Sequence, residues 1–314
     1  MFPLILGVYG LSKNNEDSSG YKIIPDDIGL KIVRRAWSLG IRYIDTAPSY
    51  GNGNADKLII KAREKGDRFK IISKIGLDVQ SNKFIEDNIY LKNELKKLKL
   101  IHGDYINSVF LHSPNSKFLE EERNLKKFYD EVKSILGQNV LVGVSLRKPE
   151  DFELIMNFQE DLVIETNLSW FDLRILDYIK SKSCLRHSII ARSIYASGLL
   201  SLISNENKSL ENTFNIDDVR YSWDIKKILN NNICDVQRVG EVKGVLEQAT
   251  LSELALSLFP ILSSLLDGII LGPLSIEELM DSDSVYQDMI NKKPNPDLAK
   301  ILFNSYPKIN TLLY

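Results

Sequence analysis

Eight short runs of apolar, largely β-branched residues recur along this chain with longer amphipathic stretches between them, and that alternation constrains the fold more than any other feature. The runs are residues 4–8, 42–46, 69–74, 105–111, 141–145, 162–166, 188–193 and 268–271. Most are apolar throughout rather than alternating, as expected of parallel strands covered on both faces. Helix-period segments lie between them, such as 27–39 with Ile28, Ile32, Val33, Ala36 and Trp37, and 84–98 with Ile85, Ile89, Leu91, Leu95 and Leu98. Two helix starts, Thr250 to Glu253 and Ser275 to Glu278, read as capping boxes. The alternation fills 314 residues without a linker-like Pro/Gly/Ser tract. It predicts one α/β domain over 1–314: a closed parallel (β/α)8 TIM barrel with elaborated loops at its C-terminal face. An open doubly wound sheet has the same periodicity, which does not report closure.

Composition excludes several classes. Forty basic against forty-two acidic residues leave a formal charge of −2, so there is no polycationic footprint for nucleic acid. Cys184 and Cys234 are too few for a disulfide scaffold and lack zinc-ligand spacing, which predicts a cytoplasmic protein without a metal. The apolar start has no basic segment before it and no cleavage site after it, against a signal peptide. The best membrane candidate, 254–271, contains Pro260 and Asp267 and reads instead as a buried helix followed by a buried strand. The polar, Asn-rich stretch 201–249, with Arg220, Tyr221 and Trp223, reads as an elaborated functional loop. Trp170, Phe171, Tyr221 and Trp223 are candidates to line a pocket. His102 and His187 read as surface residues.

Barrels carry their reacting groups at the C-terminal ends of strands. Here the second strand runs into Asp45 and then Tyr50, the third ends at Lys74, and the fourth ends at Leu111-His112. These four side chains form a coherent acid. A tyrosine with pKa near 10 is a poor proton donor at neutral pH. An ammonium ~4 Å away, at an effective dielectric near 20, favours the phenolate by about 4 kcal/mol. Lys74 would supply that charge, Asp45 would hold Lys74, and His112 would orient a substrate oxygen. Taken singly, each has an ordinary reading as a turn, rim or solvated residue. The constellation is what points to function.

At these residues the chain resembles the aldo-keto reductase family. The resembling pieces are Ile41 to Ala47 with Tyr50-Gly51, Ser73-Lys74, Leu111-His112-Ser113-Pro114 and Gly143-Val144-Ser145. Further on come Arg192-Ser193 with Gly198-Leu199-Leu200, and Ile270-Leu271-Gly272 leading into Ser275 to Leu279. The resemblance implies a barrel that binds a nicotinamide cofactor, NADP(H) by family habit with NAD(H) also open, and reduces the carbonyl of a small aldehyde or ketone. Tyr50 would be the proton donor, with Asp45, Lys74 and His112 completing the tetrad. Ser145, Glu165, Arg192, Ser193, Gly198, Leu200, Gly272, Ser275 and Glu278 would contact the cofactor. The opening Leu6 to Ser12, with the Arg192-Ser193 and Gly198-Leu199-Leu200 pieces, resembles a branch that often accompanies bacterial surface-polysaccharide and nucleotide-sugar genes. A sugar-derived carbonyl is one substrate this resemblance brings in, and such an association does not establish it.

The chain also departs from the family pattern. Leu146 stands where an asparagine is usual, Glu165 where a glutamine is usual, and Arg192 where an aromatic stacks on the nicotinamide. The reading is that Asn167 substitutes for the lost carboxamide contact, and that Arg192 packs on the nicotinamide or reaches an anionic substrate group. Ser282 replaces another usual asparagine, and the stretch 272–282 offers no cationic clamp for a 2′-phosphate. A second reading follows from these irregular contacts: a nicotinamide-binding redox sensor or interaction protein with little turnover. A cofactor-independent lyase or epimerase is a third. Gly51-Asn52-Gly53 resembles a dinucleotide glycine loop only faintly, lacking the third glycine.

Overall fold

The structure is a computed structural model and describes residues 3–13, 21–78, 81, 83–179, 186–204, 214, 218–290 and 292–305. Cys184 lies outside them. Eight strands pair in parallel, each with its sequence neighbours, and close into a barrel: β1 Leu4–Gly7, β2 Tyr43–Asp45, β3 Lys70–Ile75, β4 Ile106–His112, β5 Leu141–Ser145, β6 Val163–Asn167, β7 Ser188–Arg192 and β8 Gly268–Leu271. Closure is made by β1 on β8, with Ile5 opposite Ile270. All eight strands fall within two residues of the positions the apolar runs predict.

The helices cover the outside. In chain order they are α1 Asp26–Ser38, α2 Asn54–Glu64, α3 Asn88–His102, α4 Ser116–Glu120, α5 Glu122–Leu136, α6 Phe152–Ile155, α7 Leu199–Ser204, α8 Ile225–Asn231, α9 Ile233–Leu246, α10 Leu251–Leu256, α11 Ile276–Ile290 and α12 Pro296–Ser305. Their apolar stripes meet the outward faces of the strands in one continuous core: Ile32, Val33 and Ala36 of α1, for instance, are fully buried there. None of these helices is long and apolar enough to cross a membrane. The Thr250 box forms in full. At α11, Ser275 Oγ accepts from Glu278 N–H while the Glu278 carboxylate accepts from Leu274 N–H, one residue earlier than a standard box.

Three expectations need correction. The stretch 201–249 is not mainly loop, because α8 and α9 occupy much of its described part. Neither histidine is at the surface. The His102 Nε2 approaches Asp56 Oδ1 at 3.0 Å, and Thr46 Oγ donates to the same oxygen at 3.2 Å. His187 hydrogen-bonds Leu162 N–H and the Ile155 carbonyl. Both imidazoles are buried because backbone and side-chain groups from distant elements satisfy them, which local polarity does not reveal. Trp170 is core as well: its indole is fully buried and donates to Ser257 Oγ at 2.9 Å. Phe171 is buried in the same core, Trp223 packs against it, and Tyr221 is exposed.

The barrel interior places the site. Ile5, Ile72, Phe110, Val163, Ile190 and Ile270 form an apolar plug separate from the outer core, with Tyr43 packed against it. Strand side chains alternate sides, so two residues downstream the same inward face returns. From Tyr43, Ile72, Phe110, Val163 and Ile190 that step gives Asp45, Lys74, His112, Glu165 and Arg192. Gly143 lacks a side chain because a Cβ there would stand 2.2 Å from the Val163 carbonyl oxygen and 2.4 Å from the Phe110 ring. Two residues on is Ser145. The polar layer above the plug is thus a consequence of period two on six adjacent strands.

Candidate active site

Lys74 is at the centre of that layer, with only 1% of its surface exposed. Its ammonium donates to Asp45 Oδ2 in a very short contact, and the second carboxylate, Glu165 Oε2, stands 3.3 Å from the same nitrogen. The Tyr50 ring lies beside it, with its centroid 5.2 Å from Lys74 Nζ. The His112 ring meets the Tyr50 ring edge-on at 5.7 Å. The four residues singled out from sequence therefore converge.

The turn that delivers Tyr50 is built by glycine. Gly51 has φ +56°, and a Cβ there would lie 1.9 Å from the Ser12 carbonyl oxygen. Asn54 Nδ2 donates to the same carbonyl at 3.2 Å, tying the turn to the loop after β1. Tyr9, on that loop, packs edge-on against Tyr50 at 5.0 Å and against Tyr21 at 5.5 Å. Arg220 in turn stacks over Tyr21 at 4.3 Å. Tyr9 and Tyr21 wall the tyrosine side of the site and were missed from sequence. The available signal was Tyr9 standing two residues past the last residue of β1.

At the ends of β5, β6 and β7, Ser145, Glu165 and Arg192 form one connected unit. Ser145 Oγ donates to Glu165 Oε1 at 2.9 Å, and Arg192 Nε is 3.3 Å from that oxygen. Arg192 also donates through Nη2 to the Leu146 carbonyl at 2.7 Å. Ser193 adjoins it in a left-handed conformation, φ +58°. Further round the mouth, Gly198 has φ +89° and a Cβ there would strike the Arg220 guanidinium at 2.6 Å. Leu200 turns its side chain fully into the core, so any contact it makes with a ligand falls to its backbone. A Cβ at Gly272 would meet no heavy atom within 4 Å, which leaves open space at the end of β8, ahead of Ser275 and Glu278.

These residues fit a nicotinamide. Its carboxamide offers an acceptor oxygen and an amide donor. At the ends of β6 and β7, Asn167 Oδ1 and Arg192 Nε are buried without a hydrogen-bond partner, and the two residues are paired in register. One acceptor and one donor with unmet hydrogen-bonding capacity match that group.

The electrostatics correct one expectation. Lys74 does favour the Tyr50 phenolate, but burial outweighs it, and Asp45 and Glu165 add to the opposition. The phenol therefore stays above its ordinary range. Burial also works against the Lys74 ammonium, yet Asp45, Glu165 and Tyr50 together hold it firmly charged. Glu165 pays the same burial penalty and is still kept below the usual carboxyl range by Lys74, Arg192 and Ser145. Asp45 goes the other way: burial first, then Glu165, pushes it up to about 8. Burial, followed by the charges of Lys74, Arg192 and Arg147, drives His112 well below the usual histidine range, so the imidazole is neutral.

A family model described as Aldo/keto reductase family matches residues 3–286. The chain belongs to the aldo/keto reductase family. It is 27% identical over 203 residues to the aldo-keto reductase YhdN of Bacillus subtilis (strain 168), a match covering 61% of this chain and 58% of that curated relative. Among solved structures, the glycerol dehydrogenase AKR11B4 from Gluconobacter oxydans superposes with a TM-score of 0.67 at 21% identity, covering 97% of this chain and 92% of that one. The aldo-keto reductase AKR11C1 from Bacillus halodurans gives 0.70 at 17% identity, with 96% and 91% covered. At these identities the structural likeness speaks for the barrel.

Proposed function

We propose that this protein is an NAD(P)H-dependent oxidoreductase that reduces the carbonyl of a small polar aldehyde or ketone, with Tyr50 as proton donor. The observation that carries this reading is the convergence of Tyr50, Lys74, Asp45 and His112 on one buried patch at the barrel mouth. Bound there, a nicotinamide supplies the hydride. The protein's part is to place and protonate the substrate oxygen. Neutral His112 has its Nδ1 3.4 Å from Ser49 Oγ. With that hydroxyl donating to Nδ1, the Nε2 N–H is left to hold the carbonyl oxygen. As negative charge develops on that oxygen it becomes a far stronger base than the phenol's conjugate, and Tyr50 gives up its proton. Lys74 stabilises the phenolate left behind.

Ser145, Glu165, Asn167 and Arg192 would hold the carboxamide, and Ser193, Gly198, Leu200, Gly272, Ser275 and Glu278 the rest of the cofactor. NADP(H) is the family habit, although the first turn of α11 carries Glu277 and Glu278 and no cation. A sugar-derived carbonyl follows from the branch resemblance. The whole chain would act as one barrel domain, in the cytoplasm, where exposed Cys234 stays a free thiol. The experiment is a fluorescence titration with NADPH and NADH followed by steady-state oxidation over a panel of aldehydes and ketones. Tight binding with turnover of polar carbonyls supports the reading. Binding with no turnover across the panel overturns it in favour of a sensor.

A further inference from the structure

Lys74 has two carboxylates at its nitrogen, not one. Asp45 arrives from β2 and Glu165 from the far side of the mouth on β6, and both side chains are almost wholly buried. The other charged or titratable groups around them are Tyr50 and Tyr9 on the β1–β2 side, His112 on β4, Arg147 after β5 and Arg192 on β7. Arg192 is held by the Leu146 carbonyl and by Glu165 Oε1, and Ser145 fixes that same oxygen. The carboxylate is therefore anchored on one oxygen and presents the other to Lys74.

We propose that Glu165 is a positioning residue: it makes Lys74 the shared partner of two buried carboxylates and so sets how much of the ammonium's charge reaches Tyr50. The proposal rests on the reading of Tyr50 as the acid. Two carboxylates at one site cannot both ionise as easily as either alone, so the pair retains a proton beyond the usual carboxyl range. Glu165 has Arg192 and Ser145 as additional partners, and it is the one that stays ionised. The proton rests on Asp45, which burial first and the Glu165 charge second push up to about 8. While Asp45 holds that proton, Lys74 is opposed by one negative charge. Once the proton leaves, it is opposed by two, and Tyr50 becomes a weaker acid. Glutamine at position 165 keeps an acceptor for Ser145 and a similar shape but removes this competition.

The test is a carboxyl titration of the whole protein labelled with ¹³C at aspartate, with the Asp45 signal identified by its loss in Asp45→Asn. The expected result is an Asp45 midpoint on the alkaline side of neutrality in the wild type that moves clearly toward acid in Glu165→Gln, while burial still holds it above the ordinary carboxyl range. An Asp45 midpoint in the ordinary carboxyl range in the wild type overturns the proposal. So does a raised midpoint that Glu165→Gln leaves in place, which would make Glu165 merely the counter-ion of Arg192. If Glu165→Gln does not fold, Glu165→Asp, which draws the carboxylate back from Lys74, should move the Asp45 midpoint in the same direction, and an unmoved midpoint overturns the proposal. The kinetic counterpart is a fall in kcat/KM for reduction above about pH 8 that disappears in Glu165→Gln. Absence of turnover with every carbonyl would remove the reading of Tyr50 as the acid, while the titration, which needs no turnover, still decides the role of Glu165.

Discussion

The guanidinium of Arg192 donates to the Leu146 carbonyl at 2.7 Å while its Nε faces Glu165 at 3.3 Å. Three departures from the family pattern are therefore one arrangement. An arginine stands where the resemblance leads one to expect an aromatic, a glutamate where it leads one to expect a glutamine, and the leucine's backbone carbonyl accepts from Nη2. The charge introduced on β7 thus meets a carboxylate on β6 that also faces Lys74.

This coupling predicts non-additive mutants. Arg192→Met leaves Glu165 with Lys74 alone and should cost about 1–3 kcal/mol of stability, less than a fully buried pair because Arg192 is a quarter exposed. The double variant Arg192→Met with Glu165→Gln should be less destabilised than the sum of the singles. Urea denaturation of the four proteins closes the cycle. Strict additivity would mean that the two side chains do not depend on each other.

Tyr50→Phe keeps the ring that packs on Tyr9 and His112 but removes the proton. Carbonyl reduction should drop by a factor of about 10²–10⁴, while nicotinamide affinity, measured by fluorescence titration, should change little. Retained turnover in this variant would assign the acid to another group.

Stability should depend on pH through Asp45. Its carboxyl holds a proton up to about 8 in the folded protein and only to the ordinary carboxyl range when unfolded. The folded state therefore binds more protons between these limits. The contribution is complete below the unfolded value and is lost as pH rises toward 8. His112 acts on the other side: held neutral by burial first, it costs stability as pH falls below the ordinary histidine range. Melting temperatures should decline as pH rises from the ordinary histidine range, where the His112 effect ends, to about 8, and Asp45→Asn should flatten that decline. An unchanged slope in the variant would exclude Asp45 as its source.

His102 belongs to a buried network that braces the end of β2, since Asp56 bonds both His102 and Thr46, the residue after Asp45. His102→Ala should cost about 2–3 kcal/mol by leaving Asp56 under-satisfied and a void beside it. Thermal denaturation checks this, and a loss below about 0.5 kcal/mol would mean that the His102–Asp56 contact does little to brace β2.

Local sequence was enough for the eight strands, for the capped starts of α10 and α11 and for the four residues Asp45, Tyr50, Lys74 and His112 that meet at the barrel mouth. Apolar runs, period two and caps are properties of neighbours in the chain, and a closed barrel of consecutive strands converts them directly into position. Inward residues two steps beyond the apolar plug had to face the mouth, and Asp45, Lys74 and His112 are among them. Only the tertiary structure decided what those residues feel. Whether Lys74 serves one carboxylate or two depends on Glu165, 91 positions away in the chain. Whether Tyr50 is made more or less acidic depends on burial by Tyr9 and its surroundings. The burial of His102, His187 and Trp170 followed from partners on other elements. Charge balance and desolvation are sums over groups that the chain brings together from far apart, so no window of sequence contains them.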